Sequence, residues 1–266
     1  MQTQTRHAAG TFCWPELYTS DQNGAKKFYG ALFGWEIRDI PMGPDANYTI
    51  FTKNGVEAAA CYGAMPGMTE KGMPPFWMSY VATDNTDETA KKVKAAGGQV
   101  HKEPFDVPGT GRMAVLVDPT GASFCCWQAG PSIGIGVFGE SSSLVWTELV
   151  TTDPEQAKKF YGSVFGWSST LFPSPPGGPE YTIYAQPGHE NGVGGMMKLP
   201  AEMAGVPSHW GIYYAVDDVD ATVAKAVSLG GKVMHAALDM PGVGRMAWLA
   251  DPAGANFAVM KPNPTG

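Results

Sequence analysis

The sequence predicts an α+β protein built from four β-α-β-β-β modules. Three observations support this: the length of the chain, an internal repeat, and one helical pattern followed by short strand patterns in each half-repeat. At 266 residues the chain exceeds the usual size of one domain, so two domains with separate cores are expected. Hydrophobic residues make up 44% and charged residues 16% of the sequence, a balance typical of packed cores rather than of disorder.

The repeat runs through most of the chain. Residues 14–21 (WPELYTSD) correspond to 146–153 (WTELVTTD), 132 positions later. Further matches keep the same order and nearly the same shift: 25–30 with 157–162, 33–35 with 165–167, 48–50 with 181–183, 111–114 with 244–247, and 118–122 with 251–255. Such an ordered series indicates duplication. We therefore predict domains at 1–132 and 133–266, with the Gly- and Ser-rich stretch 129–143 as the linker.

Each copy contains two helical patterns. In the first, Asp21 is a candidate N-cap and Gly34 a candidate stop. Apolar residues fall between them at helical spacing: Ala25, Phe28, Tyr29, Leu32 and Phe33. Its counterpart runs from Asp153, with Pro154 at the first helical position, to Gly166. Second helices are predicted at 84–97 and 218–230, with Val93 and Val227 on their apolar sides, and short strands separated by Gly, Pro and Asn turns flank every helix.

Charge and cysteine content narrow the function classes. The net charge of -7 and the scattered Lys and Arg residues argue against nucleic acid or an anionic membrane as a partner. The four cysteines, Cys13, Cys61, Cys125 and Cys126, lack Cys-x-x-Cys spacing, which argues against a disulfide or zinc framework. No segment has the length of a signal peptide or membrane span. We expect a cytoplasmic protein with a small-molecule partner.

These motifs resemble those of the vicinal-oxygen-chelate superfamily, which includes glyoxalase, bleomycin-resistance and extradiol-dioxygenase-like proteins. The resemblance is carried by the helix motif D-x-x-x-A-x-x-F-Y at 21–29 and 153–161, by V-D-D-V-D-A at 216–221, and by D-P-x-G at 118–121 and 251–254. It implies that two modules form each domain and curl its sheet into a cup, or half-barrel, that holds a small ligand. The superfamily includes both enzymes and simple binding proteins, so the fold alone does not give the function.

The same resemblance implies metal ligands on the first, fifth and last strands of a domain. The corresponding positions are Trp14, about Trp77 and Cys125 in the first domain, and Trp146, about Gly211 and Ala258 in the second. Indole, methyl and hydrogen cannot bind a hard divalent ion, and one thiolate is not a site. We therefore expect neither a metal nor another cofactor.

Two glutamates are the candidate catalytic residues. Glu16 and Glu148 lie two residues beyond Trp14 and Trp146, so strand alternation places them on the same face, which is the expected cup interior. A buried carboxylate there would be a general base or a hydrogen-bond anchor for a ligand. The alternative is a structural carboxylate, paired with Arg112 or Arg245 or placed at the rim of the sheet.

Candidate ligand-binding residues surround these glutamates in the proposed cups. They are Trp14, Tyr18, Trp77, Cys125, Trp127 and Arg112 in the first domain and Trp146, His209, Tyr213, Trp248 and Arg245 in the second. The aromatic rings either line a cleft for a planar ligand or belong to the core. His209 is either a satisfied polar residue or, with Glu148, a displaced metal pair. The Pro-Gly-x-Gly-Arg segments 108–112 and 241–245 favour tight turns over phosphate loops, because they lead into strands.

The leading functional hypothesis is a metal-independent protein that binds a planar or aromatic metabolite or an antibiotic-like compound, as a monomer with internal pseudo-two-fold symmetry. The alternatives are a metal-independent isomerase, lyase or hydrolase with a Glu base, or a divalent-metal glyoxalase or dioxygenase; a pure interaction module has least support. The second cup is expected to be roomier. The first has Cys61, Cys125, Trp77 and Trp127 where the second has Val193 or Gly194, Ala258, Gly211 and Met260.

Overall fold

The computed structural model describes residues 4–44, 46–63, 72–173, 180–203 and 205–263, and it contains two eight-stranded mixed sheets. The first half of the chain forms β1 (Phe12–Tyr18), α1 (Gln22–Phe33), β2 (Glu36–Gly43), β3 (Ala46–Lys53), β4 (Val56–Tyr62), β5 (Phe76–Ala82), α2 (Thr86–Ala95), β6 (Gln99–Val107), β7 (Gly111–Val117) and β8 (Ser123–Ala129). The second forms β9 (Leu144–Thr151), α3 (Pro154–Phe165), β10 (Ser168–Phe172), β11 (Tyr181–Gln186), β12 (His189–Lys198), a 3-10 turn (Ala201–Met203), β13 (His209–Ala215), α4 (Val219–Ser228), β14 (Lys232–Met240), β15 (Gly244–Ala250) and β16 (Asn256–Pro262).

Both sheets have the same topology. The strand order is β2-β3-β4-β1-β5-β8-β7-β6 in the first and β10-β11-β12-β9-β13-β16-β15-β14 in the second. In each sheet the first strand of a module pairs in parallel with the last, while the two modules meet through an antiparallel pair, β1 with β5 or β9 with β13. Within the described residues the outer strands of a sheet are not joined, so each sheet stays open. The predicted α+β fold of four β-α-β-β-β modules is confirmed.

The first helix of each domain begins and ends as its sequence predicts. The Asp21 side chain accepts a hydrogen bond from the Gly24 backbone N–H at 2.8 Å, and Gly34 ends α1 with a φ of 70°, a conformation that favours glycine. Asp153 caps α3 in the same way, ahead of Pro154. These helices are amphipathic and bury the F-Y pairs of their motifs.

The second helices differ from prediction in one respect. Val93 on α2 is fully buried, but Val227 on α4 is 50% exposed, and the neighbouring Ala226 is buried instead. The prediction for Val227 is wrong because α4 has apolar residues on several sides, so that periodicity did not single out its inward face. No helix in the described ranges is long and apolar enough to cross a membrane.

The two domains contact each other through reciprocal hydrogen bonds made by the repeated motifs. The Tyr29 hydroxyl donates to Asp251 at 3.1 Å, and the Tyr161 hydroxyl donates to Asp118 at 2.9 Å. The other carboxylate oxygen of Asp118 and of Asp251 accepts backbone N–H groups of its own D-P-x-G turn. The motifs that carry the family resemblance therefore also bind the two domains together.

A second reciprocal pair joins each domain to the segment before the other domain's first strand. The Trp35 indole donates to the Ser142 carbonyl at 2.8 Å, and the Trp167 indole donates to the Gly10 carbonyl at 2.9 Å. After Ala129, which ends β8, the predicted linker has no helix or strand, yet Ile135 is fully buried and its backbone N–H donates to the Cys13 carbonyl. The linker is thus packed against the first domain rather than free.

Candidate functional site

Strand alternation divides each sheet into a face that packs on helices and an opposite face. On β1, Leu17 belongs to the core cluster that includes Phe28 and Tyr29 of α1, and alternation places Trp14, Glu16 and Tyr18 on the opposite face, although Trp14 also contacts that cluster. We call this opposite face the first cup, and the equivalent face of the second sheet, which carries Trp146 and Glu148, the second cup.

Glu16 is buried in the first cup and holds two phenols. The Tyr48 hydroxyl donates to Oε1 and the Tyr80 hydroxyl to Oε2, both at 2.6 Å. The Trp14 indole N–H in turn donates to the Tyr48 hydroxyl at 3.0 Å. Glu16 is only 9% exposed, and the two phenols give each of its carboxylate oxygens a hydrogen-bond donor within the protein.

Glu148 repeats this arrangement in the second cup and is 7% exposed. The Tyr213 hydroxyl donates to its Oε1 at 2.9 Å, and Tyr181 is a second phenol partner. The Trp146 indole N–H donates to the Tyr181 hydroxyl at 2.9 Å. A further indole, that of Trp248, donates to the Tyr213 hydroxyl at 3.2 Å. Each cup therefore contains one carboxylate, two phenols and an indole in a connected network.

The environment changes the acidity of these groups. Burial raises the pKa of Glu16 and of Glu148 above the ordinary value, and the phenol hydrogen bonds only partly oppose that shift. Burial beside the carboxylates also raises the pKa of Tyr80 and Tyr213, so these phenols stay protonated as donors. Such a carboxyl can anchor a hydroxyl group or exchange a proton at a less acidic pH than a free carboxyl.

The predicted positions of Arg112 and Arg245 in the cups are wrong. Arg112 donates to both oxygens of Asp87, at the start of α2, and to Asp106. Arg245 forms the same bonds with Asp220 and Asp239. The alternative that these arginines neutralise the glutamates fails for the same reason. The preceding Pro-Gly-x-Gly segments are tight turns between antiparallel strands, as expected.

The predicted position of Trp77 is also wrong. Trp77 lies opposite Leu17 on the helix face, and its indole donates to the Tyr29 hydroxyl at 3.1 Å. Trp210 is its counterpart and donates to Tyr161. The residue across from Glu16 is Met78, and a one-residue error in counting along β5 moved the expected side chain to the other face.

Other candidates do lie on the cup faces. Cys125 and Trp127 are in register with Tyr80 and Ala82, and both are buried. Burial raises the pKa of the Cys125 thiol, which keeps it uncharged. Tyr18 packs on other rings of the first cup.

His209 is half-buried on the face of Gly211 in the second cup. Its Nδ1 lies 2.9 Å from the Pro207 carbonyl oxygen. The ligand-binding roles of these residues remain predictions.

Three phenols that bind the glutamates were not predicted from the sequence, namely those of Tyr48, Tyr80 and Tyr181. Tyr48 and Tyr181 open the repeated Tyr-Thr-Ile segment, and Tyr80 is the counterpart of Tyr213. Recurrence at equivalent positions was the available signal. What sequence could not show is that strands distant along the chain converge on one carboxylate.

The donor set of the cups does not fit a divalent metal ion. The side chains at the positions where the family resemblance implies ligands are indole, thioether and thiol in the first cup, and indole, hydrogen and methyl in the second. In the described part of the chain, no three His, Cys, Asp or Glu residues are grouped to hold a metal.

Comparison with known proteins agrees with the architecture. The model of the Glyoxalase/Bleomycin resistance protein/Dioxygenase superfamily matches residues 7–126 and 143–259. A Mycobacterium tuberculosis protein named "Putative glyoxylase CFP32" is 43% identical over 265 residues and covers 99% of both chains. "Anthracycline biosynthesis protein DauV" of Streptomyces sp. strain C5 is 38% identical over 269 residues, covering 97% of this chain and 95% of that protein.

Two solved structures have the same fold. The Mn(II)-bound glyoxalase from Novosphingobium aromaticivorans has a TM-score of 0.65 at 17% identity, covering 95% of this chain and 82% of that chain. The 2,3-dioxygenase LapB from Pseudomonas sp. KL28 has a TM-score of 0.65 at 12% identity, covering 97% and 96%. At these identities the likeness concerns the fold alone.

Proposed function

The chain belongs to the glyoxalase/bleomycin resistance protein/dioxygenase superfamily, and we propose that it binds planar, hydroxyl-bearing aromatic compounds in a cup without a metal ion. The observation that supports this most is the buried carboxylate of each cup, connected to two phenols and an indole. Flat apolar rings with a few convergent polar groups are typical of small-molecule sites.

The ligand class follows from this chemistry. Phenols and indoles offer flat surfaces for a ring system, and a carboxylate accepts hydrogen bonds from its hydroxyl groups. The streptomycete relative is named for the biosynthesis of anthracyclines, which are planar polycyclic compounds bearing such hydroxyls. A compound of that general shape is therefore the ligand we infer for this chain.

Titration with 1,8-dihydroxyanthraquinone, followed by quenching of tryptophan fluorescence and by melting temperature, tests this proposal. We expect saturable quenching and a rise in melting temperature, because a ligand that binds only the folded state stabilises it by mass action. Cyclohexane-1,2-diol, which has hydroxyls but no flat ring, is the matched control and should do neither. Equal responses to both compounds, or to neither, would contradict the proposal.

The metal-independent part has its own test. After dialysis against a chelator, the protein should keep both its melting temperature and its affinity for the anthraquinone, because the cup donors do not fit a metal. Metal analysis before dialysis should find much less than one equivalent of manganese, iron, zinc or nickel per chain. Stoichiometric metal whose removal abolishes binding would favour a metal-dependent glyoxalase or dioxygenase instead.

A metal-independent isomerase, lyase or hydrolase is the second candidate, and the raised pKa of Glu148 favours it. A carboxyl that gains its proton closer to neutrality is a more effective base or acid under physiological conditions. Recovery of the anthraquinone or related hydroxyaromatic compounds in altered form after incubation would favour this candidate over simple binding.

We further propose that the protein is a monomer in the cytoplasm. The reciprocal contacts of Tyr29 with Asp251 and of Tyr161 with Asp118 already join two domains as a symmetric dimer would. Light scattering should give the mass of one chain, and twice that mass would contradict the monomer.

A further inference from the structure

We propose that the second cup is the binding cup and that Gly211 determines this, because its missing side chain leaves room beside Glu148 for the edge of a planar aromatic ligand. The inference rests on the proposed function and adds to it which cup is used and which position sets its specificity. Three features of the two cups lead to it.

The first feature is that nothing in the structure of the strand requires glycine at position 211. Gly211 is not among the residues with positive φ, so its backbone is open to other residues. Among the described residues, a Cβ built on it would meet within 4 Å only the Glu148 carbonyl oxygen, at 3.8 Å. Gly195, on the other side of Glu148, is the opposite case, because a Cβ there would overlap the Tyr181 hydroxyl. Packing explains Gly195, whereas Gly211 leaves open space.

The first cup lacks this space. Its residue in register with Glu16 is Met78, in the place that Gly211 has beside Glu148. The thioether chain therefore lies where the second cup has only a hydrogen atom. Since the carboxylates and their phenols are equivalent, this is a difference in access rather than in chemistry.

The second feature is a ring cluster that fills the first cup. Tyr18 is buried and lies 5.7 Å from Tyr62 and 5.5 Å from Phe76, measured between ring centroids. The equivalent residues of the second cup are smaller or more polar: Val150, Met197 and His209. The protein's own rings thus occupy the space in the first cup that a ligand ring would need.

The third feature is Trp248, a half-buried indole of the second cup; the indoles of the first cup among the described residues, Trp14 and Trp127, are buried. Trp248 stands where the first cup has Val115, and its N–H donates to the Tyr213 hydroxyl that binds Glu148. Its ring contacts His235 edge to face, at 5.3 Å between centroids. An indole fixed in this way offers a flat surface for stacking close to the anchoring carboxylate.

His209 adds a second polar group on the far side of Gly211. Its Nδ1–H donates to the Pro207 carbonyl, so Nε2 is the ring nitrogen left for a ligand. His209 and Gly211 are separated by about 6.6 Å along the strand, two residues apart. The Glu148 carboxylate and the His209 ring nitrogen lie near the space beside Gly211. Together they suit a compound of two or three fused rings that carries hydroxyl groups on one edge.

The test is a titration of 1,8-dihydroxyanthraquinone against four proteins: wild type, Gly211→Met, Met78→Gly and Val227→Met. Val227 is exposed on α4, so that variant introduces the same residue away from the cup. We expect one site per chain in the wild type and about 30-fold weaker binding in Gly211→Met, which has several heavy atoms in the open space. Val227→Met and Met78→Gly should bind at the wild-type site with unchanged affinity.

The outcomes separate the two proposals. A wild type that does not bind the probe contradicts the proposed function, and with it this inference. A wild type that binds while Gly211→Met binds equally well, or that shows two equal sites, overturns this inference alone. If Gly211→Met does not fold, Gly211→Ala and Gly211→Val should weaken binding in that order, and equal affinity in both would overturn it.

Discussion

The two cups share their polar centre and differ in the surface around it. Glu16 and Glu148 each bind two phenols. One phenol at Glu16 and both phenols at Glu148 also accept an indole hydrogen bond. Around these centres the first cup has Met78 and a cluster of three rings, whereas the second has Gly211 and the half-buried Trp248. The two cups therefore share the hydrogen-bond network of the carboxylate. They differ in the side chains that control how closely a ligand can approach it.

The contacts between the domains show the opposite behaviour, because they are nearly identical in both directions. Tyr29 and Tyr161 bind the aspartates of opposite domains, and Trp77 and Trp210 bind those two tyrosines. Each domain contributes one half of this interface. The residues on both sides must therefore make the same hydrogen bonds. A cup that does not bind ligand has only to be well packed.

The largest expected difference between the cups concerns their glutamates. Glu148→Gln should weaken anthraquinone binding about 10- to 100-fold, since losing a charge-assisted hydrogen bond costs about 1.5 to 3 kcal/mol. Glu16→Gln should leave affinity for this large ligand unchanged, because rings and Met78 fill the first cup. Fluorescence titration measures both, with melting curves to verify folding. A larger loss in Glu16→Gln would reverse the assignment of the cups.

The next effect concerns the small residues beside the carboxylates. Gly195→Ala should destabilise the protein by about 1 to 3 kcal/mol, because its Cβ overlaps the Tyr181 hydroxyl and the phenol must move. Ala60 is the equivalent residue next to Glu16, and Ala60→Gly should cost only about 0.5 to 1 kcal/mol. Urea unfolding gives both values. Equal costs would show that Tyr181 is not tightly held.

In their response to pH the cups should agree. Burial raises the pKa of both glutamates in the folded protein. Between the ordinary and the raised pKa, each glutamate therefore holds its proton more often in the folded state than in the unfolded state. Its contribution to stability is therefore complete below the ordinary pKa near 4.5 and is lost as the pH rises through the raised value. Across that window the wild type should lose stability relative to Glu16→Gln and to Glu148→Gln. Melting temperatures from pH 4 upward test this, and a difference independent of pH would contradict the shifted pKa.

The smallest effects are expected for the arginines outside the cups. Arg112→Gln and Arg245→Gln remove equivalent, largely exposed ion pairs with two aspartates each. Both variants should therefore melt at slightly and equally lower temperatures, with a smaller difference at high salt. Anthraquinone affinity should not change in either. Loss of affinity would return these residues to the binding site.

Much of the fold was predictable because local signals repeat. The Asp21 and Asp153 caps, the glycines that end α1 and α3, and the alternation along β1 and β9 each specify local structure. The position of Glu16 on the cup face followed from that alternation. The errors arose where the sequence lacks a clear period, as at Val227, or where counting along a strand slipped by one residue, as at Trp77.

The expectation that the second cup is roomier depends partly on the wrong residues. Cys61 lies on the helix face, as does Met196, its counterpart by strand register. A larger bulge in β12, between the pairs Tyr184–Gly194 and Gln186–His189, adds two residues to the second hairpin, so a constant repeat shift points to Val193 or Gly194 instead. The phenol partners of the glutamates come from strands far apart in sequence, and only the pairing of those strands brings them together.

A crystal structure of the protein soaked with 1,8-dihydroxyanthraquinone tests the central claim most directly. The account predicts one molecule per chain in the second cup, with a ring edge against Gly211, a hydroxyl group near Glu148 and a ring face on Trp248. The first cup should keep Tyr18 packed against Tyr62 and Phe76. Density for the compound in the first cup, or at a surface away from both glutamates, would contradict the account.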